Sequence, residues 1–556
     1  MLSTMCRTEA YQDRQAQVEI WMSNMIRRVK CDETKPCCLR CSKSGWNCEG
    51  YPPALNRHAS SQIILPKSSL PLLPKGTFEK RIHSNKSFLI EPSFHPRFHN
   101  EDERRYFNVF ITQTAPELTG FFESNIWNRL ILQACHEELY AWHAVVAIGA
   151  LHRTLEVSNS SKHDDGSKAH HTFALKQYGI AIRHMQQVAQ REMNEYRLRD
   201  TLISCLLTTC FESYIGNQED ALNQAQAGID VLLNWQFDCP LQDDDMASVR
   251  KVTARSKFLD DDLLGAFTRL DFQVMQFKYT VKDRVLSPSY PTIPPSFESV
   301  TEARFYWDLI VRRAQQWHIA QHSAATEQFS TLDFGENNTS ENFKRGSEFA
   351  DRTERELVAY EEVTALWYEK FKPMFEKSRE QPGSKMFVAA SMMMVRYLPS
   401  KFAISRKAPD CDLYADQYFE DYKSVVSLTR GVLEEYSMTL PGKAGFGMDV
   451  NFVLSLFLVA TRCREPSVRR EAISLLVKHP RREGLWDSLM AARVATWLME
   501  KEEEGMADGK YVPETARLRI VKNDFVLKER KAVIRCSKMV EGCEQRVELP
   551  DVTLTW

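Results

Sequence analysis

From Glu101 to about Gly509, apolar residues return every three or four positions with little interruption, and no other property of this 556-residue chain limits its fold as sharply. In "AWHAVVAIGALHRTL", residues 141 to 155, Ala144, Val145, Ile148, Leu151 and Leu155 share one stripe of a helix. Comparable stripes run through "FALKQYGIAIRHMQQVAQ", "DTLISCLLTTCFESYIG", "EDALNQAQAGIDVLLNW", "DDDLLGAFTRLDFQVMQF", "ARFYWDLIVRRAQQW", "RELVAYEEVTALWYEKF" and "NFVLSLFLVATRC". The chain is therefore expected to be mainly α. Short turns such as Gly216-Asn217 predict antiparallel neighbours.

The pair around that turn resembles a tetratricopeptide hairpin, but its period does not repeat, so the expectation is a large irregular helical domain and not a solenoid. Two polar stretches, residues 157 to 171 and 324 to 347, are rich in Ser, Asn, Asp and Gly and read as surface loops. The last 45 residues gain β-branched residues and short-range alternation, with Glu541-Gly542 as a turn candidate, which predicts a small antiparallel β element closing the body. Between Tyr51 and about Asn100 stand seven prolines and no sustained helical period, as in a flexible linker. That stretch has no leucine heptad, so no coiled coil sets a dimer there.

Charge is distributed unevenly. Residues 1 to 100 carry 15 Lys and Arg against 8 Asp and Glu, a net of +7; with −2 for the whole chain, −9 is left for the remaining 456 residues. A small basic contact module on a mildly acidic body fits this balance. Nine of the 14 cysteines are scattered singly, several in apolar helical stretches, and read as core thiols of a reducing compartment. The N-terminus lacks a charged segment followed by an apolar one, and the longest apolar run, residues 452 to 460, is far below the roughly 18 residues of a membrane span. No export signal and no membrane partner are expected.

The other five cysteines fall within 18 residues, in "MIRRVKCDETKPCCLRCSKSGWNCEGY", residues 25 to 51, among six Lys and Arg. Cys31, Cys38, Cys41 and Cys48 are separated by six, two and six residues, with Cys37 beside them. A CxxC pair flanked by two further sulfurs is an arrangement for tetrahedral zinc, because short loops let thiolates converge at about 2.3 Å. Counting back from Cys31 at the same spacings, however, reaches Trp21 and Asn24.

This stretch resembles the DNA-binding module of the fungal binuclear zinc cluster transcription factors, matching "KCDETKPC" and "GWNCEGY" and everything after that module's second cysteine. The resemblance implies six thiolates around two zinc ions. Carried across, Cys31 is the third ligand, Cys38 the fourth and bridging one, Cys41 the fifth and Cys48 the sixth. It also implies a basic helix reading a CGG-type triplet, with Arg27 and Arg28 at the base-reading positions and Lys30 on phosphates; Lys35, Arg40 and Lys43 are weaker candidates. Without the first two thiolates neither tetrahedron is complete, which leaves one zinc, or none, open beside the family's two. Nothing before Ile26 resembles the family, and residues 1–25 are read as a misplaced start or an unspliced intron, which sequencing the transcript's 5′ end would test.

Two further segments resemble the C-terminal regulatory domain of one branch of these factors: "LILQACHEELYAWHAVVAIGALHR", residues 130 to 153, and "TRCREPSVRREAISLLVKHPRREGLWDSLMAARVATWLMEKEE", residues 461 to 503. The expected organisation is an unmatched 1–25, a partial zinc cluster module at 26–51, a Pro-rich linker at 52–100 and a helical regulatory domain at 101–556. The resemblance implies a nuclear transcription factor acting on RNA polymerase II genes. Its implied partners are double-stranded DNA, the transcription machinery or co-regulators, a small-molecule effector and a second copy of the chain. The alternative is a helical regulatory protein of the same family that has lost autonomous DNA binding. An enzyme is not expected: there is no GxGxxG, no phosphate loop, no GxSxG and no HExxH. "CHEEL" at 135 to 139 reads as a helix start and not a metal site. Arg469, Arg470, Arg481 and Arg482 are expected to pair with Glu471, Glu483 or helix C-termini, and Leu485 and Trp486 to be core.

Overall fold

The computed structural model describes residues 98–158, 164–190, 194–238, 260–277, 290–331, 339–403, 412–439, 445–506, 511–540 and 546–556, all within the compact unit Pro92–Trp556. Helix α1 (Glu101–Val109) starts where the Asn100 side chain accepts the Glu103 N–H at 2.8 Å, with Glu101, Asp102 and Glu103 in its first turn to oppose the helix dipole. A π-turn leads into α2 (Ala115–Thr119), which ends at Gly120 with φ of 65°. A second π-turn opens α3 (Ile131–Glu137); extended backbone at Glu138 then breaks the chain before α4 (Leu139–Ser158).

Helix α4 departs from the single-stripe expectation. Besides Ala144, Val145, Ile148 and Leu151, the residues Ala141, Trp142, Val146, Ala147 and Ala150 are all at most 4% exposed. The reason is its central position: α1, α3, α5 (Asp164–Ala189) and α6 (Glu195–Ile215) all pack on it. At Gly149 the α1 backbone comes so close that a Cβ would stand 2.2 Å from the Tyr106 carbonyl oxygen. The α6–α7 hairpin (α7, Gln218–Asp238) turns as the sequence predicted. Gly216 is left-handed at φ of 79°, and Asn217 N–H donates back to the Glu212 carbonyl at 2.9 Å.

Helices α8 (Asp261–Phe277), α9 (Val300–Thr331), α10 (Thr339–Ser378), α11 (Lys385–Ala403) and α12 (Phe419–Thr439) follow. The polar stretches expected to be loops are largely helical where described: α4 and α5 cover 157–158 and 164–171, and α9 and α10 cover 324–331 and 339–347. Residues 159–163 and 332–338 lie outside the described residues. Polar composition misled here because polar residues such as Ser, Asn and Asp lower helix propensity only slightly and do not by themselves exclude a helix.

Strand β1 (Gly445–Gly447) runs parallel to β2 (Arg481–Glu483), which pairs antiparallel with β3 (Trp486–Asp487). Helices α13 (Val453–Arg462), α14 (Pro466–Lys478) and α15 (Ser488–Glu502) surround this small sheet. The chain closes with the antiparallel element expected: β4 (Leu518–Val526), β5 (Lys531–Met539), β6 (Arg546–Glu548) and β7 (Val552–Thr555), with β5 central. Ala532, Ile534 and Cys536 alternate inward at 0–1% exposure. The turn described between β4 and β5 is Leu527–Arg530, with Arg530 at φ of 49°; Glu541-Gly542 lies outside the described residues.

Two apolar cores result. The first joins α1 to α8, and the second joins α9 to α15 with the closing sheet. Each borrows from the other end of the chain. Phe446, Met448 and Leu485 enter the first core, while Phe121 and Phe122 enter the second.

Candidate functional site

Where the cores meet, α8 and α9 place charge in positions that their stripes reserve for apolar residues. Arg304 and Asp308 are each about 4% exposed in their side chains, and Arg269, Arg396 and Asp449 complete the cluster. Asp449 binds Arg269 Nε at 2.7 Å and Arg304 Nη2 at 2.5 Å. Asp308 binds Arg396 Nη2 at 2.6 Å and lies 3.5 Å from Arg269 Nη1. The Arg304 guanidinium also sits 4.1 Å from the Phe122 ring centroid. Beside it Gln273 donates to the Met448 carbonyl at 2.8 Å and accepts from Leu485 N–H at 3.3 Å.

Burial alone would raise the Asp449 carboxyl, but Arg269 and Arg304 outweigh it and hold the group well below the usual carboxylate range. Burial and the neighbouring Arg269 push Arg304 down to about 10, against the pull of Asp449 and Asp308, so it stays charged at neutral pH. Two cavities of about 10 Å³ flank the cluster, room for about one water each. Fixed opposite charges between two cores make a joint, and this set offers neither a nucleophile nor a proton carrier. Sequence reading missed it. The legible signal was a charge inside an apolar stripe, Arg269 in "LLGAFTRLDF" and Asp308 in "FYWDLIV".

The arginines of the 461–503 segment are structural, as expected, although some partners differ. Arg469, wholly buried, binds Glu502 at 2.8 Å and donates to the Ala460 carbonyl at 3.0 Å. Arg517 reaches the Thr461 and Arg462 carbonyls at 3.0 and 3.1 Å, so two guanidiniums serve the C-terminal end of α13. Arg470 pairs with Glu503. Arg481 lies 3.2 Å from Glu483, whose other oxygen accepts from the Asn451 and Val453 N–H groups at the start of α13. Arg482 donates to the Ser213 carbonyl at the end of α6 at 2.8 Å. Glu471 pairs instead with Arg430. Leu485 and Trp486 are core at 4% and 5% exposure.

In "CHEEL", Cys135 is buried while His136 and Glu137 are exposed, and the run spans the break between α3 and α4 and is not a helix start. No group of three or more metal-type side chains occurs among the described residues. Burial pushes the thiols of Cys205, Cys463 and Cys536 up to about 11 and that of Cys210 well above its ordinary value, as suits core thiols. No described helix is long and apolar enough to cross a membrane. The predicted zinc ligands Cys31, Cys38, Cys41 and Cys48, the predicted DNA contacts Arg27, Arg28 and Lys30, and most of the linker lie outside the described residues.

Comparison with known proteins addresses that N-terminal region. The fungal Zn(2)-Cys(6) binuclear cluster domain family matches residues 26–58, beginning at Ile26 where the resemblance was read to begin. The fungal specific transcription factor domain family matches residues 105–262, which includes the 130–153 segment. Both matched domains are of fungal transcription factor type, and they lie in separate parts of the chain. The chain is 29% identical over 219 residues to the aspercryptin biosynthesis cluster-specific transcription regulator atnN of Emericella nidulans, covering 38% of this chain and 34% of that protein. It is 43% identical over 56 residues to the transcriptional regulatory protein moc3 of Schizosaccharomyces pombe, 8% of this chain and 11% of that protein. It is 22% identical over 225 residues to the transcription regulator lscL of Purpureocillium lilacinum, 40% and 50% of the two. The chain thus spans between a tenth and half of the length of these curated relatives. No solved structure matches it. The matched cluster domain is a zinc-binding one by its description, and the 461–503 segment lies beyond the matched transcription factor domain.

Proposed function

We propose that this chain is a nuclear, zinc-dependent, sequence-specific transcription factor of RNA polymerase II genes, reading CGG-type triplets through the basic segment before Cys31. The observation that carries it is the zinc cluster match over residues 26–58, which contains the basic segment and four spaced cysteines. Arg27 and Arg28 would read guanine, since a guanidinium bonds O6 and N7 together and each such pair discriminates by about 1–3 kcal/mol. Lys30 would meet phosphate and set affinity and salt dependence. In this reading residues 26–51 contact DNA, 52–100 link, and 101–556 form the regulatory body, which receives co-regulators, a small effector and a second copy.

Zinc, when bound, supplies the folding energy that so short a segment lacks. The donor set of this chain suits one tetrahedral ion on Cys31, Cys38, Cys41 and Cys48. It does not suit two, because the indole of Trp21 and the amide of Asn24 cannot replace thiolates. Those two vacancies also favour a second reading, a regulatory member that no longer binds DNA alone. Zinc content and a mobility shift on CGG-containing duplex, before and after chelation, separate the two. Metal with chelator-sensitive binding, weakened by Arg28→Ala, supports the first reading. No metal and no shift sink it.

A further inference from the structure

Apart from the joint, the body carries an open cleft of about 900 Å³ between the segment after α2, the start of α9, the start of α11 and the α12 face. Its apolar lining includes Phe121, Phe122, Met374, Met386, Val388 and Ala389. Phe121, Phe122 and Ala389 are buried at 3–8% exposure and anchored in the second core, so this surface is fixed by the fold. Volume and lining fall within the range of small-molecule sites.

The polar groups decide the chemistry of what fits. Glu123, Glu298 and Glu435 line the same cleft, with Lys385 as the one basic residue among the described residues of its lining, a net charge of −2 from those three carboxylates and one ammonium. None of the three carboxylates makes an ion pair among the described residues. Glu435 is seated directly on Gly383, where a Cβ would stand 2.0 Å from its Oε1 and where φ is +80°. Glycine at that position leaves room for the carboxylate at the cleft. Two helix starts also face the cleft, which by itself would suit an anion. Both are already capped: Ser299 Oγ accepts from Glu302 N–H at 3.1 Å, and Ser384 Oγ accepts from Phe387 N–H at 3.1 Å.

We propose that this cleft is a binding site for a small organic cation, an amine carried on an apolar aromatic or aliphatic body. The apolar body would lie on Met386, 38% exposed, and Val388, and the ammonium would face Glu298 and Glu435. In the functional reading above this would be the effector site, but the site itself requires neither zinc nor DNA.

The test is calorimetric titration of the full chain without DNA, using tryptamine, phenethylamine and hexylamine, each against its carboxylate counterpart (indole-3-propionate, hydrocinnamate and heptanoate). At least one amine is expected to saturate one site, with its carboxylate counterpart bound at least about tenfold more weakly. Glu298→Gln with Glu435→Gln should weaken the amine by about two- to fivefold per carboxylate, and Thr301→Trp, at an exposed lining position, should block it. Glu219→Gln on the surface of α7 should change nothing, and unchanged Tm values show that the variants fold. Absence of saturable binding by all three amines, equal binding of amine and carboxylate, or binding unmoved by the cleft variants overturns the proposal. A failed mobility shift on DNA leaves this result untouched, so the two readings fail separately.

Discussion

Two buried ionic clusters hold this body together, and they do so in different ways. At the joint, Arg269, Arg304 and Arg396 face Asp308 and Asp449, side chain to side chain, across the boundary between the cores. In the 461–503 region, Arg469 and Arg517 share Glu502 and also donate to backbone carbonyls at the end of α13, inside a single core. The first cluster joins elements up to 180 residues apart. The second finishes one helix and docks the closing sheet, since Glu502 also accepts Leu518 N–H at 2.8 Å at the start of β4. Losing the first should uncouple the two halves, and losing the second should weaken one half from within.

The sharpest way to break the comparison is Glu502→Gln. It leaves Arg517, at 1% exposure, without its carboxylate and leaves Arg469, at 0%, only Glu503 at 4.0 Å. Removing one partner of a buried pair costs about 3–5 kcal/mol, so denaturant unfolding should show a large fall in midpoint, led by loss of the closing sheet. Asp449→Asn should cost somewhat less, roughly 2–4 kcal/mol, because Asp449 is 18% exposed and Asp308 still faces the three arginines. Its distinguishing sign is a broadened or two-phase transition, as the halves unfold separately.

Acid should bring out the same difference. Asp449 has a depressed carboxyl, so its contribution is fully present above the unfolded-state value and fades as pH falls from about 4 toward its folded value. The stability gap between wild type and Asp449→Asn should therefore be constant from pH 5 to 7, by linkage, and shrink below about pH 4. A gap that grew on acidification would refute the assignment of Asp449 as the ionised partner.

How much of this could be read from the sequence follows from the kind of signal each part leaves. The helices, the α6–α7 turn and the closing sheet leave local periods and turn residues, and these were legible. The all-round burial of α4 was not, because a residue such as Val146 has the same local pattern whether its face meets water or a neighbouring helix. The joint was legible only in part, as charges inside apolar stripes whose partners the sequence does not name. Arg269 and Asp449 are unremarkable alone and acquire meaning only when α8 and the β1–α13 connection meet. For the cysteine cluster the situation is reversed. The expectation of zinc ligands there rests on spacing and on the family resemblance, so Cys31 through Cys48 and the departures at Trp21 and Asn24 could be read without any tertiary contact.

Between the ionic clusters and the surface lies a purely steric test. Gly149→Ala improves helix propensity by up to about 1 kcal/mol, yet its Cβ would stand 2.2 Å from the Tyr106 carbonyl. Backbone on both sides leaves no flexible side chain to yield, so overpacking of roughly 1–3 kcal/mol should win and thermal unfolding should fall by a few degrees. A higher Tm would mean that α1 can withdraw from α4 at little cost.

The smallest effect is expected at Arg430–Glu471, an ion pair that sequence reading did not anticipate. Its side chains are 47% and 38% exposed, and it links α12 to α14 across solvent. In water the attraction is screened and two long side chains must be held still, so the pair is worth about 0–1 kcal/mol and less at high salt. A double-mutant cycle with Arg430→Ala and Glu471→Ala should give a coupling below about 1 kcal/mol that fades between 0.05 and 0.5 M salt, by screening. The same cycle with Arg396→Ala and Asp308→Ala at the joint should give a larger coupling that salt hardly changes. If the two couplings prove equal, burial is not what gives the joint its strength, and the contrast between joint and surface fails.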